Sequence, residues 1–223
     1  HITMKRVFIL VLLALCLSPF RSMAQITGKF GTYYDQRATL FEVLPTTEDD
    51  IIFLGNSIVD GCEWSELFAD SRVKNRGISG DVCEGVLNRL ATITKGHPAK
   101  VFLMIGTNDM SRGTAPDTIA ERVRRIVRRI KAESPATAVL LQSVLPVNDC
   151  YGLFAGHTSR WAMVAEINAL LEVVAREEGI TYIDLYRVFA TDEGKMNPSY
   201  SNDGLHLTGA GYLLWRDTLK MWL

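Results

Sequence analysis

The sequence predicts a three-layer α/β/α sandwich around a parallel sheet of five strands. Three observations predict it. Short apolar runs recur along the chain and end at glycines or polar loops, helical segments lie between them, and no repeat or low-complexity linker divides them. With 223 residues, 48% hydrophobic and 22% charged, the chain is sized for one domain and too apolar to be disordered.

Residues 1–24 read as a targeting segment. His1–Thr3 precedes Met4 as an extension. Met4-Lys5-Arg6 is a short basic start, residues 7–17 are an apolar run of eleven, and Ser22-Met23-Ala24 offers small residues to a signal peptidase. Cleavage is expected after Ala24. A membrane anchor would need about 20 apolar residues. A lipoprotein signal at Cys16 is disfavoured by the bulky Leu15 before it. A secreted or periplasmic protein without stable membrane insertion is therefore expected.

The elements then follow in turn. Residues 33–44 suit an amphipathic helix and 45–50 a polar break. Strands are predicted at 51–54, 73–76, 100–105, 137–143 and 181–185. Helices are predicted at 63–69, 85–93, 116–133, 161–178 and 209–223. Pro116 fits a first helical turn and Gly179 a helix end. One domain over residues 25–223 is the simplest account.

Charge excludes some classes. Loss of residues 1–24 removes Lys5, Arg6 and Arg21 and no acid, taking the formal charge from −1 to −4. That argues against a nucleic-acid partner. The run Arg122, Arg124, Arg125, Arg128 and Arg129 alternates with Ile119, Val123, Ile126, Val127 and Ile130 at helical spacing, so it reads as a solvated helix face. Cys62, Cys83 and Cys150 remain after cleavage, an odd count. Export would permit one bridge, and Cys62 with Cys83 is the candidate pair. No Cys-His metal spacing occurs, and neither metal nor organic cofactor is expected.

In such a sheet ligands bind at the carboxyl ends of the strands. Ser57 follows the first strand in a tight turn, which exposes its hydroxyl and places its N–H at a helix start. Alone it reads equally as a helix cap. Among the four histidines, His1 lies in the extension and His97 at the opposite end of the sheet, leaving His157 and His206. Asp203, three residues before His206, can accept the imidazole Nδ1–H and leave Nε2 for the serine. The same pair also fits a surface histidine beside a capping aspartate. Gly80 lets its backbone approach a substrate, and Asn108 carries two amide donors, the kind of group an oxyanion needs. Each also fits an ordinary turn. Their shared edge of the sheet carries the case.

These residues resemble a family. Phe53-Leu-Gly-Asn-Ser57, Gly77-Ile-Ser-Gly80-Asp81, Gly106-Thr-Asn108-Asp109 and Asp203-Gly-Leu-His206-Leu-Thr-Gly-Ala-Gly211 look like the four blocks of the SGNH (GDSL-like) hydrolases, nearest the platelet-activating-factor acetylhydrolase catalytic subunits. The resemblance spans nearly the whole mature chain. It implies a flavodoxin-like sandwich, a Ser57–His206–Asp203 triad, and an oxyanion hole from the N–H groups of Ser57 and Gly80 and the Asn108 side chain. Asn56 departs from the Asp of the family's name motif, and Ser79 stands where close relatives have Gly. The rival α/β-hydrolase elbow would require Gly where Val59 stands.

The expected chemistry is two-step acyl transfer to water by a carboxylic ester hydrolase. A small, acetyl-like acyl group is implied by the resemblance, with O-acetylated glycans first and phospholipids or lysophospholipids second. A carbohydrate-binding protein on a hydrolase scaffold and an O-acyltransferase are the other readings. The loop 147–161 carries Tyr151, Phe154 and His157 as candidate substrate-binding residues, an apolar wall that could equally be packing. Either a monomer or a homodimer is compatible.

Overall fold

The structure, a computed structural model, describes residues 28–223. The targeting segment at residues 1–24 lies outside them. Helix α1 (Thr32–Val43) leads into β1 (Ile51–Gly55), followed by the short α2 (Ser57–Asp60) and α3 (Trp64–Leu67). Then come β2 (Val73–Gly77), α4 (Cys83–Arg89), α5 (Ala91–Thr94), β3 (Lys100–Met104) and α6 (Thr107–Ser111). The second half runs α7 (Pro116–Glu133), β4 (Ala138–Gln142), α8 (Ala155–Thr158), α9 (Trp161–Glu178), β5 (Thr181–Ile183), α10 (Leu185–Phe189) and α11 (Gly209–Leu219).

All neighbouring strands pair in parallel in the order β2-β1-β3-β4-β5. That is the flavodoxin-like doubly wound order, with its switch point between β1 and β3. Gly55 is level with Gly77 on one side and Met104 on the other, so the loops after β1, β2 and β3 leave the sheet together. Gly55 has no alternative, because a Cβ there would strike the Met104 carbonyl oxygen.

Strand alternation sorts the core onto two faces. Ile52, Leu54, Val101 and Leu103 pack with residues of α4, α7 and α9. Ile51, Phe53, Phe102 and Met104 pack with Trp64, Phe189 and Trp215. Phe53 stacks between Trp64 and Phe102, with ring centroids at 4.0 and 4.9 Å. The two indoles are also satisfied, Trp64 Nε1 donating to the Val59 carbonyl and Trp215 Nε1 to Gln142 Oε1, each at 2.8 Å.

Some expectations need correction. Cys62 and Cys83 form no disulfide; both are free and buried, Cys62 in one face's core and Cys83 in the other's. The sheet separates them. The helix expected at 85–93 is two helices, since the backbone tightens to three-residue bonds where Leu90 donates to Leu87 and Ile93 to Leu90. The helix expected at 63–69 stops at Leu67, before the left-handed Ala69 (φ 51°). The final helix ends at Leu219 and gives way to a 3₁₀ turn at Lys220–Trp222. The arginines of α7 are not simply solvated: Arg124 and Arg128 bond Glu178 of α9, and Arg122 and Arg125 reach Glu84 of α4. No helix among the described residues is long and apolar enough to cross a membrane.

Candidate active site

Ser57 opens α2 directly after β1. Asn56 caps that helix by accepting the Ile58 N–H at 3.1 Å on its side chain, while its carbonyl takes the N–H groups of Val59 and Asp60. Ser57 therefore keeps the one first-turn N–H that Asn56 does not engage. A side-chain carbonyl performs this cap without charge, so Asn serves where the family's name motif has Asp.

Ser57 Oγ lies 3.2 Å from His206 Nε2, and His206 Nδ1 lies 2.8 Å from Asp203 Oδ2. A carboxylate only accepts, so the imidazole proton sits on Nδ1 and the Nε2 lone pair faces the hydroxyl. The loop holding this pair is itself fixed. Asp203 Oδ1 accepts the N–H groups of Leu205 at 2.8 Å and His206 at 2.7 Å. Gly204 between them takes φ 83°, and a Cβ on it would collide with the Asn148 carbonyl. Burial pushes the Asp203 carboxyl up, but the His206 and Leu205 N–H groups and the imidazole outweigh it and hold the carboxyl below its ordinary value.

The residues expected to face an oxyanion, Gly80 and Asn108, stand on the next two loops. The turn Ile78–Asp81 closes with the Asp81 N–H donating to the Ile78 carbonyl, and Gly80 supplies the positive φ of 80° at its third position. Ser79 is tied down from below: Asp60 Oδ2 accepts both its N–H at 3.1 Å and its hydroxyl at 2.8 Å. Arg112 donates to the Gly80 carbonyl at 3.0 Å. Asn108, on α6, donates one amide N–H to the Asp81 carbonyl at 2.8 Å, and its Oδ1 lies 2.9 Å from His157 Nε2.

Beneath these loops sits a fully buried ion pair. Arg89 Nε meets Asp81 Oδ2 at 2.9 Å, both side chains are 0% exposed, and another Arg89 nitrogen donates to the Gly55 carbonyl. Asp109 is likewise buried and joins the Cys83 N–H of α4 to Arg122 of α7.

The structure thus brings Ser57, His206 and Asp203 into one hydrogen-bonded line. Of the loop residues, Phe154 sets its ring edge-on to His206 at 5.1 Å, and the Tyr151 hydroxyl donates to the Ser201 carbonyl at 2.9 Å. Tyr151, Leu153 and Phe154 are exposed. Sequence reasoning assigned no role to Asp60, Arg89 or Arg112. Arg112 had a local signal, lying one helical turn beyond Asn108. Asp60 and Arg89 had none, because their partners lie outside helical spacing: Ser79 is 19 residues from Asp60, and Asp81 and Gly55 are 8 and 34 from Arg89.

Comparison with known proteins identifies the family. The sequence model of the GDSL-like Lipase/Acylhydrolase family matches residues 53–214, and the chain belongs to that family. It is an esterase-type hydrolase by fold and family. Over 172 residues it is 28% identical to the platelet-activating factor acetylhydrolase IB subunit alpha2 of Rattus norvegicus, covering 74% of this chain and 72% of that one. A GDSL-like lipase from Bacteroides thetaiotaomicron superposes with a TM-score of 0.73 at 26% identity, covering 85% and 96% of the two chains. An acetylxylan esterase from Geobacillus stearothermophilus superposes with a TM-score of 0.62 over 78% and 94%; at 18% identity it speaks for the fold alone.

Proposed function

We propose that the protein is a serine esterase that removes short acyl groups, acetyl foremost, from an oxygen ester. The observation that carries the reading is the line from Ser57 Oγ through His206 to Asp203, at 3.2 and 2.8 Å. His206 Nε2 takes the Ser57 proton as Oγ attacks the carbonyl carbon. The oxyanion is held by the N–H groups of Ser57 and Gly80 and by Asn108. His206 returns the proton to the departing alcohol, leaving an acyl-Ser57 ester. Water, deprotonated by the same imidazole, then releases the acid and restores the serine. Asp203 orients the ring and balances its transient charge.

The rim supports an O-acetylated glycan as the alcohol half. Exposed Tyr151 and Phe154 offer aromatic faces to sugar C–H surfaces, and exposed Ser79, Arg112 and Asn202 offer partners to hydroxyls. The leader-like residues 1–24 support an exported enzyme meeting such glycans outside the cytoplasm. A second reading, a phospholipid acylhydrolase, has its own support. Arg112 is an exposed cation, Leu153 and Phe154 offer exposed apolar side chains, and the relatives above are named as platelet-activating factor acetylhydrolase subunits.

Ser57→Ala should abolish turnover of p-nitrophenyl acetate, a loss of about 10³-fold or more by analogy with other triads, with an unchanged melting curve. Retained turnover would refute the serine assignment. Acetate release from O-acetylated oligosaccharides against a short-chain phospholipid separates the two alcohols. Failure to label with a fluorophosphonate would point to a binding protein, and ester products with an added sugar acceptor to an acyltransferase.

A further inference from the structure

The amide of Asn108 poses a problem that its own helix does not solve. An Asn side chain has two ends of nearly equal shape, and only one donates. For an oxyanion the nitrogen end must be presented, and a rotation of the amide would offer the anion an oxygen instead.

Both ends are occupied here. The Asp81 carbonyl can only accept, so the end facing it at 2.8 Å is Nδ2. Oδ1 therefore faces His157 Nε2 at 2.9 Å, and an oxygen there requires His157 to donate from Nε2. One Nδ2 hydrogen is then spent on Asp81, and the other is left for the substrate oxygen. His157 arrives from a separate element. It lies on α8, which Phe154 caps in a left-handed conformation (φ 48°) with its carbonyl accepting the His157 N–H at 2.8 Å. The Phe154 ring stands edge-on to both imidazoles, 6.4 Å from that of His157 and 5.1 Å from that of His206.

We infer that His157 is a positioning residue of the oxyanion hole: its Nε2–H locks the Asn108 amide in the orientation that offers Nδ2 to the reacting ester. The inference rests on the proposed esterase reading of this site. It gives His157 a task different from lining a substrate wall, and one that a neutral imidazole performs. Burial, with the nearby His206 and Arg112, lowers the proton affinity of His157 and keeps the ring neutral. A neutral ring on Nε2–H leaves Nδ1 without a proton, so His157 adds no positive charge to the site.

The test is a double-mutant cycle on p-nitrophenyl acetate hydrolysis with His157→Ala, Asn108→Ala and the pair combined. A structural or wall-lining role for His157 would add its cost to that of Asn108→Ala. A positioning role would not. Removing one oxyanion donor costs about 10²–10³-fold in kcat, so Asn108→Ala should fall in that range and His157→Ala about tenfold or more within it. KM for His157→Ala should stay within about twofold, because the interaction matters only as the oxyanion forms. In the Asn108→Ala background the further loss of His157 should cost less than about twofold. His157→Gln, which restores an N–H donor, should recover most of the rate. His157→Phe, which restores only bulk, should not, and this pair keeps the test decisive if the alanine variant folds poorly. Additive losses, or equal behaviour of Gln and Phe, overturn the inference while leaving the esterase reading intact. Full activity of Asn108→Ala overturns both the oxyanion assignment and the inference resting on it.

Discussion

Two aspartates on the carboxyl edge of the sheet, Asp203 and Asp81, face the same problem under different conditions. Asp203 is 17% exposed and belongs to a loop that turns three N–H groups toward it, two from the backbone and one from the imidazole. Asp81 is sealed, with Arg89 and the Val82 N–H as its donors. In Asp203 hydrogen bonds overcome burial, and the carboxyl is held down. In Asp81 burial overcomes Arg89 and the Val82 N–H, and the carboxyl is pushed up. Solvation thus decides which term wins. The partly exposed pair can change charge during a reaction at little cost. The sealed pair cannot, and its place under the loops of Gly80 and Asn108 suits a scaffold: Arg89 also holds the Gly55 carbonyl, and the Asp81 carbonyl holds Asn108.

Exchanging the damage between the two pairs tests this division. Asp203→Asn should lower kcat by about 10³–10⁴-fold, because the imidazole loses its tautomer control. Its cost in stability should stay below about 1 kcal/mol, since Asn keeps an acceptor for the loop N–H groups. Arg89→Met should do the reverse, leaving Asp81 buried without a partner at a cost of about 3–5 kcal/mol. At this chain length that is a fall in Tm of roughly 6–20 °C. Thermal melts with kcat measured well below each Tm read both axes. A stability loss in Asp203→Asn matching that of Arg89→Met would break the comparison.

Backbone contrasts within the same two regions give a smaller effect. Gly80 and Gly204 both sit at positive φ, 80° and 83°, yet a Cβ on Gly80 meets nothing within 4 Å while one on Gly204 runs into the Asn148 carbonyl. Gly80→Ala should cost only the left-handed strain, about 1–2 kcal/mol. Gly204→Ala should cost more, because the loop must also move off Asn148, and it should carry Asp203 and His206 with it. Chemical denaturation of both variants ranks them, and equal costs would show that the packing above Gly204 yields freely.

Part of the candidate edge was legible in the sequence because three of its residues follow strands along the chain, whereas Asp203 and His206 lie beyond α10 and were legible only by their own spacing. Ser57 and Asn108 trail short apolar runs and Gly80 trails the more polar strand Val73–Gly77, and a parallel sheet gathers such positions without further information. Helices α7 and α9 were legible to the residue for local reasons: Pro116 opens one, and Gly179 at φ 64° ends the other. What was not legible depends on face or on distance. The Cys62–Cys83 pairing misled because sequence order carries no record of which side of the sheet a loop returns to. Helix α10 was missed because five residues after a strand show no helical period; its start depends on Asp184 accepting the Arg187 N–H. The Arg89–Gly55 and Arg112–Gly80 bonds span 34 and 32 residues, beyond any local pattern.

The smallest effect in the comparison is its dependence on pH, and there the two aspartates should differ in sign. An unfolded Asp titrates near about 3.9. Asp203 is held below that in the fold, so its contribution to stability is present above that pH and is lost as the pH falls through its folded value. Asp81 is raised, so the folded protein takes up its proton before the unfolded chain does, and acidification toward that pH relieves the fold of a buried charge. The stability difference between the wild type and Asp203→Asn should therefore be flat from pH 7 to about 5 and shrink below about 4. Urea unfolding of the two proteins across that range measures it. A difference that stays constant down to pH 3 would mean that the Leu205 and His206 N–H groups do not favour the ionised carboxylate, and that Asp203 is held by shape alone.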